Sequence, residues 1–299
     1  MKYIDLSIII VNFKTYELTK QTINSILSKN HIINYEIILV DNASNDGSIE
    51  KIEQGFKEKI KTNLIKIIRN NKNLGFSKAN NIGIRIAKGE YILVLNSDTV
   101  IVDDCVDKCL DYIKKDNKIG ALGCKVLLPD GKLDKPCKRG FPTPKASLYY
   151  MLKLDKLFPN RKSFGEYNLT YLSEDDINEV DSLVGAFMII PRRVIDEVGM
   201  FDEDFFMYGE DIDWCYRIKQ VGYKIIYYPE AKITHFKGSS AKKKRFKTIY
   251  EFHRAMYLFY NKHYKSKYSI LTTLSIYLGI SVKLIITLLI NLFKKQGTD

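Results

Sequence analysis

The chain contains no C-x-x-C pair. Its five cysteines (Cys105, Cys109, Cys124, Cys137 and Cys215) are odd in number and fit no disulfide framework. Reduced thiols are expected, as in a cytoplasmic protein. The start, MKYIDLSIIIVNF, has no secretory leader: its apolar run is about six residues, follows Asp5 and reads as a strand. No G-x-G-x-x-G follows that strand and no G-x-x-x-x-G-K-[ST] occurs anywhere, which weakens dinucleotide and P-loop readings. Internal repeats and low-complexity tracts are absent as well.

Net charge is scarce in the front of the chain. Residues 1–236 carry 34 Lys or Arg and 33 Asp or Glu, whereas 237–299 carry 13 and 2. The front reads as an ordinary soluble domain, and the tail suits an anionic surface.

What is present in 1–100 is an alternation of strand and helix patterns. LSIIIVNF (6–13), YEIILVD (35–41), LIKIIR (64–69) and YILVLN (91–96) are the strands. Between them lie helices near 15–29, from a Ser48 cap to about 60, and over 77–89. In the last of these Ala79, Ile82, Ile86 and Ala87 share one face, and Gly89 ends the helix. Strands apolar on both faces and separated by helices predict an α/β fold, its mainly parallel sheet covered on both sides. Beyond 118 the pattern is mixed. A hairpin tip falls at Asp130-Gly131, residues 139–180 are Pro-punctuated with a helix near 145–157, and a buried strand spans 182–191. Strand patterns ending in KITHFKGSS close the domain near 240.

In open parallel sheets, ligands sit beyond the carboxyl ends of the strands. Asp41 ends the second strand and Asp98 follows the fourth, so both are expected on one edge, although Asp is also common in turns. Asp41 can only accept, which suits a base with an N–H donor such as uracil, thymine or guanine. Asp98 with Asn96 offers oxygen ligands to Mg2+ or Mn2+. Such an ion stabilises the charge that builds on a departing nucleoside diphosphate. The densest acidic stretch is 202–213, where Asp202, Glu203 and Asp204 read as a solvated loop before a helix. Glu210 and Asp211 lie among Phe205, Phe206, Met207, Tyr208 and Trp214, a setting in which a carboxylate at a helix start is tuned as a general base. His235, after a late strand, is a second candidate metal ligand; the plainer reading is a structural histidine.

SIIIVNFKT, VDNASNDGS, NLGFSKANNIGI, YILVLNSD, VGAFMIIPRRVIDEVGMFDEDFFMYGEDIDWCYR and HFKGSS occur in this order. Together they resemble the family 2 inverting glycosyltransferases with the GT-A fold, in particular the rhamnosyltransferase-like branch. The resemblance implies a catalytic domain over 1–240, with a nucleotide-binding half (1–100) and an acceptor half (101–240). It implies donor contacts from Val11, Asn12, Asp41, Asn80, Asn96, Ser97 and Asp98, with Asp41 on the nucleobase. Asp98 in NSD, where the family has D-x-D, and His235 in H-x-x-G-x-S are implied as ligands of a divalent cation. Asp211 in GEDIDW is implied as the catalytic base, with Glu210 and Trp214 at the acceptor. Asn96 in place of the first Asp resembles the Asn-x-Asp form of rhamnosyltransferase-like members. Thymidine diphosphate rhamnose is the first donor implied, and uridine diphosphate sugars the next.

Residues 237–267 hold ten Lys or Arg and one acid, Glu251, interleaved with aromatics. ILTTLSIYLGISVKLIITLLINLF (270–293) follows, with Lys283 as its one charge. The tail, 241–299, is therefore expected to carry a hydrophobic, membrane-associated helix over 269–293, of bilayer length. A lysine near mid-span costs about 3 kcal/mol on insertion. Spanning, lying in the interface, and pairing with a second copy as a dimer helix all stay open. The cationic flanks favour an anionic membrane surface, and nothing in 1–236 supports nucleic-acid binding.

The expected function is sugar transfer to a lipid-linked or polysaccharide acceptor at the cytoplasmic face of the cell membrane. Two alternatives stand beside it. A sugar-1-phosphate nucleotidylyltransferase needs a Gly-rich basic loop after the first strand, where this chain reads VNFKTYE. A non-catalytic membrane-bound scaffold needs neither Asp98 nor Asp211.

Overall fold

The four N-terminal apolar runs form strands β1 (Leu6–Asn12), β2 (Tyr35–Asp41), β3 (Ile65–Arg69) and β4 (Tyr91–Asn96) in a computed structural model that describes residues 3–237 and 245–294. Five more follow: β5 (Thr99–Ile101), β6 (Ile119–Leu127), β7 (Asn178–Glu179), β8 (Phe187–Pro191) and β9 (Lys224–His235). They make one sheet in the order β3-β2-β1-β4-β8-β6-β9-β5, with β7 also on β9. β1 to β4 pair in parallel, β8 runs antiparallel between β4 and β6, and β9 is parallel to β6. Ile8, Ile9 and Ile10 of the central β1 are all fully buried, which requires cover on both faces.

Helices α1 (Tyr16–Leu27), α2 (Ser48–Gly55), α3 (Lys57–Lys61), α4 (Phe76–Ile86) and α5 (Cys105–Ile113) connect the first strands. α6 (Pro144–Met151), α7 (Leu154–Leu157) and α8 (Lys162–Gly165) build the Pro-punctuated segment. α9 (Arg192–Val198) and α10 (Glu210–Gln220) precede β9, and α11 (Arg245–His263) and α12 (Ile270–Lys294) end the chain.

Four local expectations change. Ser48 is the first helical residue of α2, behind Gly47, and its hydroxyl accepts from Asn12 Nδ2 at 3.2 Å instead of capping the helix. The expected helix to 60 breaks at Phe56 into α2 and α3, and the one over 145–157 breaks at Lys153, whose φ is 57°. In α4 the inward face is Ala79, Gly83 and Ile84, with Ala87 just past its end, while Ile86 is exposed. Gly83 decides this: a Cβ there would lie 2.6 Å from Ile9 Cγ2, so only glycine lets the helix close on β1.

The register of β9 places the site. It follows β6 up to Cys124–Tyr228, shifts, and resumes at Lys125–Lys232. Its last residues then pair antiparallel with β5, Thr99 opposite His235. Asp98 immediately precedes β5, and its carbonyl accepts from Phe236 N–H at 2.7 Å.

α11 packs on α10. Phe205, Ile212 and Tyr216 bury against Ala255, Phe259, Tyr260 and Tyr264 as a second apolar cluster. Beside it Asp213, fully buried, pairs with Arg217 (2.9 Å), Lys262 (2.8 Å) and His263 (2.7 Å). Burial alone would raise this carboxyl; His263, Arg217 and Lys262 outweigh that and hold its pKa down at about 2. The division expected at 240 thus follows composition, whereas packing joins α11 to the front of the chain.

Candidate active site

β4 ends in Asn96, and the turn Ser97–Asp98 leads into β5. All three residues line a cavity of about 1510 Å³, well above the roughly 300–1,000 Å³ of a small-molecule pocket, so it has room for two substrates. Val11 at the end of β1 lines it too. Gly209, and Glu210 and Asp211 of the first turn of α10 behind it, line the same cavity. Gly209 takes φ 80°, and Tyr208 before it takes 69°, which costs a side-chain-bearing residue about 1–2 kcal/mol. That turn is what aims the two acids into the cavity.

Asp211 is held tightly. Its Oδ2 accepts from Arg139 Nη2 at 2.7 Å and from Gly185 N–H at 3.2 Å. Among the described residues Oδ1 accepts only the adjacent Ile212 N–H, at 2.8 Å, which leaves it a lone pair for a substrate proton. Arg139 is itself buried. Burial works against its charge, but Asp211 more than offsets this and its pKa rises. Glu210 differs: Oε2 is buried without a hydrogen-bond partner. Burial first, and the Asp211 charge second, push its pKa up to about 8, which favours the protonated form.

In the same cavity His235 Nε2 lies 3.1 Å from Asp98 Oδ1 and 3.3 Å from Asn96 Nδ2. His235 Nδ1 lies 3.2 Å from Asp134 Oδ2, and Lys237 Nζ donates to the other oxygen of that carboxylate, Oδ1. Burial opposes the His235 charge, but Asp134 and Asp98 outweigh it and raise the pKa. An imidazole oriented through Nδ1 by a carboxylate, beside a second carboxylate, is a fitting partial ligand set for Mn2+ or Mg2+. Among the described residues no three acidic, thiol or imidazole groups form a closed metal site. Any cation here would therefore draw its remaining ligands from water and substrate phosphate. Gly238 and Ser240 of the H-x-x-G-x-S stretch lie outside the described residues.

Asp41 stands apart. It borders an adjoining cavity of about 280 Å³ with Asn45, Ser48, Arg69 and Asn70, while its neighbour Asn42 lines the large one. Its carboxylate accepts from Asn12 Nδ2 (2.7 Å) and from the Ser44 backbone N–H (3.1 Å). Asn12 is fully buried and ties Asp41 to Ser44, Thr15 and Thr19, so it positions the Asp41 carboxylate. Two further expectations need correction. Asn80 is buried in α4 with its amide on Phe76 O, and Trp214 is fully buried with Nε1 on Gly199 O (2.8 Å) against Phe201; neither lines the cavity. Arg139 and Asp134 were not anticipated. Both lie in the segment between β6 and α6, where periodicity gave no signal.

The raised pKa of Glu210 has a signed consequence for stability. The folded protein retains a proton there that the unfolded chain releases near pH 4.5. The stability this proton confers is full below that pH and declines up to about 8. Glu210→Gln removes the titration. Its melting temperature should match the parent's at pH 5 and exceed it by several degrees at pH 8.5; parallel melting curves across that range would contradict the assignment.

The pattern described as Glycosyl transferase family 2 matches residues 7–171, and that of Glycosyl transferase family group 2 matches residues 156–293. The chain is 26% identical over 234 residues to the N-acetylglucosaminyl-diphospho-decaprenol L-rhamnosyltransferase of Mycobacterium tuberculosis, covering 75% of this chain and 73% of that protein. It is 29% identical over 220 residues to the low-salt glycan biosynthesis hexosyltransferase Agl10 of Haloferax volcanii, covering 72% and 62%. Its fold matches GalNAc-T7, solved with UDP, GalNAc and Mn2+, at a TM-score of 0.59 and 20% identity over 79% of this chain and 44% of that one. It also matches the mannosyltransferase PcManGT from Pyrobaculum calidifontis, solved with GDP-Man and Mn2+, at 0.57 and 16% over 86% and 65%. The first pattern spans more than half of the chain: this is a GT-A-fold glycosyltransferase belonging to glycosyl transferase family 2.

Proposed function

We propose that the enzyme transfers a sugar, rhamnose first, with inversion from a nucleoside diphosphate to a lipid-linked or polysaccharide acceptor. Thymidine diphosphate rhamnose and uridine diphosphate sugars are the donors in that order. One observation carries the reading: Asp98 and Asp211, 113 positions apart, line the same cavity. The acceptor hydroxyl gives its proton to Asp211 Oδ1 and its oxygen bonds to the anomeric carbon. The bond from that carbon to the donor diphosphate breaks on the opposite side, and its electrons leave with the phosphate. Arg139 and Gly185 N–H hold Oδ2 and so fix the base. Protonated Glu210 is placed to donate to an acceptor oxygen. Asp98 and His235 would hold the divalent cation, which neutralises charge on the leaving diphosphate when bound. Lys135 and Lys237 line the same wall. Asp41, positioned by Asn12, serves the base of the nucleotide from the adjoining cavity.

Asp211→Asn keeps the shape of the side chain and loses its basicity. Transfer should fall by about 10²–10⁴, while thymidine or uridine diphosphate still raises the melting temperature. Turnover near the parent rate would remove Asp211 from this role.

The tail is read as an interfacial membrane anchor. Ile270–Leu292 is long and apolar enough to cross a bilayer. Yet α12 lies along α11: Tyr260 meets Thr273, Asn261 meets Tyr277, and Met256 meets Lys283. α11 in turn is bound to the front through Arg254 on Asp204 O and Lys262 on Asp202 and Asp213. Were α12 to cross the membrane, it would draw these charges in with it, at about 3 kcal/mol each. Lying flat, it offers lipid its exposed outer face of Leu271, Leu274, Leu278, Val282 and Ile285. The full chain should float with anionic vesicles, and Leu274→Lys with Leu278→Lys should abolish flotation; equal flotation would contradict this reading.

A further inference from the structure

Leu148, Tyr150, Met151, Leu152, Leu157 and Phe158 are all exposed, by 40% to 68%, where α6 runs into α7. Single exposed apolar side chains need no explanation, but six so close together mark a contact surface. Local contacts hold the segment in this shape. Pro144 opens α6, and Thr143 Oγ1 caps it by accepting from Ala146 N–H at 3.1 Å. Lys153, at φ 57°, turns the chain between the two helices. Phe164 of α8 then braces both sides of the turn, 5.1 Å from the Tyr149 ring and 5.3 Å from that of Phe158. Cations rim the same surface: Lys145, Lys153, Lys156, Arg161 and Lys162 are exposed. Among the described residues only Lys145 of these five pairs with a carboxylate, Glu166 at 3.7 Å. The one acid within 144–162, Asp155, is buried and accepts from Asn168 Nδ2 at 2.7 Å. The patch also runs into the large cavity, which Leu148, Tyr150 and Met151 line together with Ser275 and Gly279 of α12.

We propose that α6 and α7 form a second contact with an anionic bilayer surface, separate in the chain from the tail. Leu152, Leu157 and Phe158 enter the boundary between headgroups and acyl chains, and the five cations meet lipid phosphate. Bulky apolar side chains interspersed with lysines, whose stems lie along apolar surface while their ammonium groups stay in water, suit such a boundary. A second copy of the chain fits less well. A two-fold interface would set the patch against itself and bring Lys153, Lys156, Arg161 and Lys162 against their own copies. One helix lying in an interface leaves the domain free to roll about it, and a second contact on the same cavity removes that freedom. The inference goes beyond the reading of α12 as an anchor and rests on it for the tether, since a docked α12 raises the local concentration of lipid at α6 and α7.

The test uses the full chain carrying Leu157→Cys labelled with an environment-sensitive fluorophore; the five native cysteines are buried and so escape the label. Ile32→Cys is the control, because Ile32 is exposed just before β2, at the opposite end of the parallel strands from Asp98. Phosphatidylcholine vesicles with and without phosphatidylglycerol are titrated, and flotation reports binding of the whole chain. On anionic vesicles the Leu157 label should shift to the blue and be quenched by lipids spin-labelled near the headgroup, while the Ile32 label keeps its aqueous emission. Lys153→Gln with Lys156→Gln should weaken vesicle binding about tenfold, and Lys153→Arg with Lys156→Arg should keep it. These positions are exposed, so every variant should melt with the parent. Aqueous emission from Leu157 on chains that float would overturn the proposal and leave the anchor reading standing. A blue shift that grows with protein concentration in the absence of lipid would overturn it in favour of a second copy. Equal quenching on neutral vesicles, or undiminished binding in the Lys→Gln pair, would overturn it too. Failure of the anchor reading would show instead as undiminished flotation in Leu274→Lys with Leu278→Lys, where the Leu157 label still reads this contact.

Discussion

Antiparallel pairing of Thr99–Ile101 with Ile233–His235 spans only three residue pairs, and it fixes the relation between the two halves of the chain. It sets His235 beside Asp98, although the two are 137 positions apart. Side chains alternate along a strand, so a slip of one residue would turn His235 to the other face of the sheet. The register shift in β9 after Tyr228 is what allows the strand to leave β6 in step and still reach β5. Asp134, fed in by the turn after β6, then closes on the imidazole from behind.

The placement of Glu210 and Asp211 depends on α10. Its first turn carries Glu210 and Asp211 into the cavity, and its next residue with a carboxylate, Asp213, points away into a buried cluster of cations from α10 and α11. Removing the partners of such a group leaves an uncompensated buried charge, at a cost of about 3–5 kcal/mol. The helix that bears Asp211 and the helix that leads to the tail are therefore held as one unit.

Much of this was legible in the residues. Runs such as IIIV and YILVL are β-branched or apolar at every position, which suits a strand covered on both faces and little else. Asp98 and Asp211, which line one cavity, each break an apolar context abruptly in the sequence. Side-chain partners at long range were not legible. Arg139 meets Asp211 across 72 positions and Asp134 meets His235 across 101, from loops with no periodicity to place them. Trp214 and Asn80 were misread because they lie within recognisable motifs. Helical spacing puts Trp214 in step with Ile218, on the core face, and Asn80 satisfies its own helix. The α4 face was misjudged for a related reason: close approach to β1 selects the smallest side chain, so Gly83 and not Ile86 marks the inward side.

The central claim is geometric: base and leaving group act on opposite sides of one anomeric carbon, in a single displacement. The most direct measurement is the anomeric configuration of the newly formed glycosidic bond, read from the one-bond carbon–proton coupling in the product before any rearrangement. The account predicts the configuration opposite to that of the donor. A product that retains the donor configuration would require a second displacement or a different face of attack, and would contradict it.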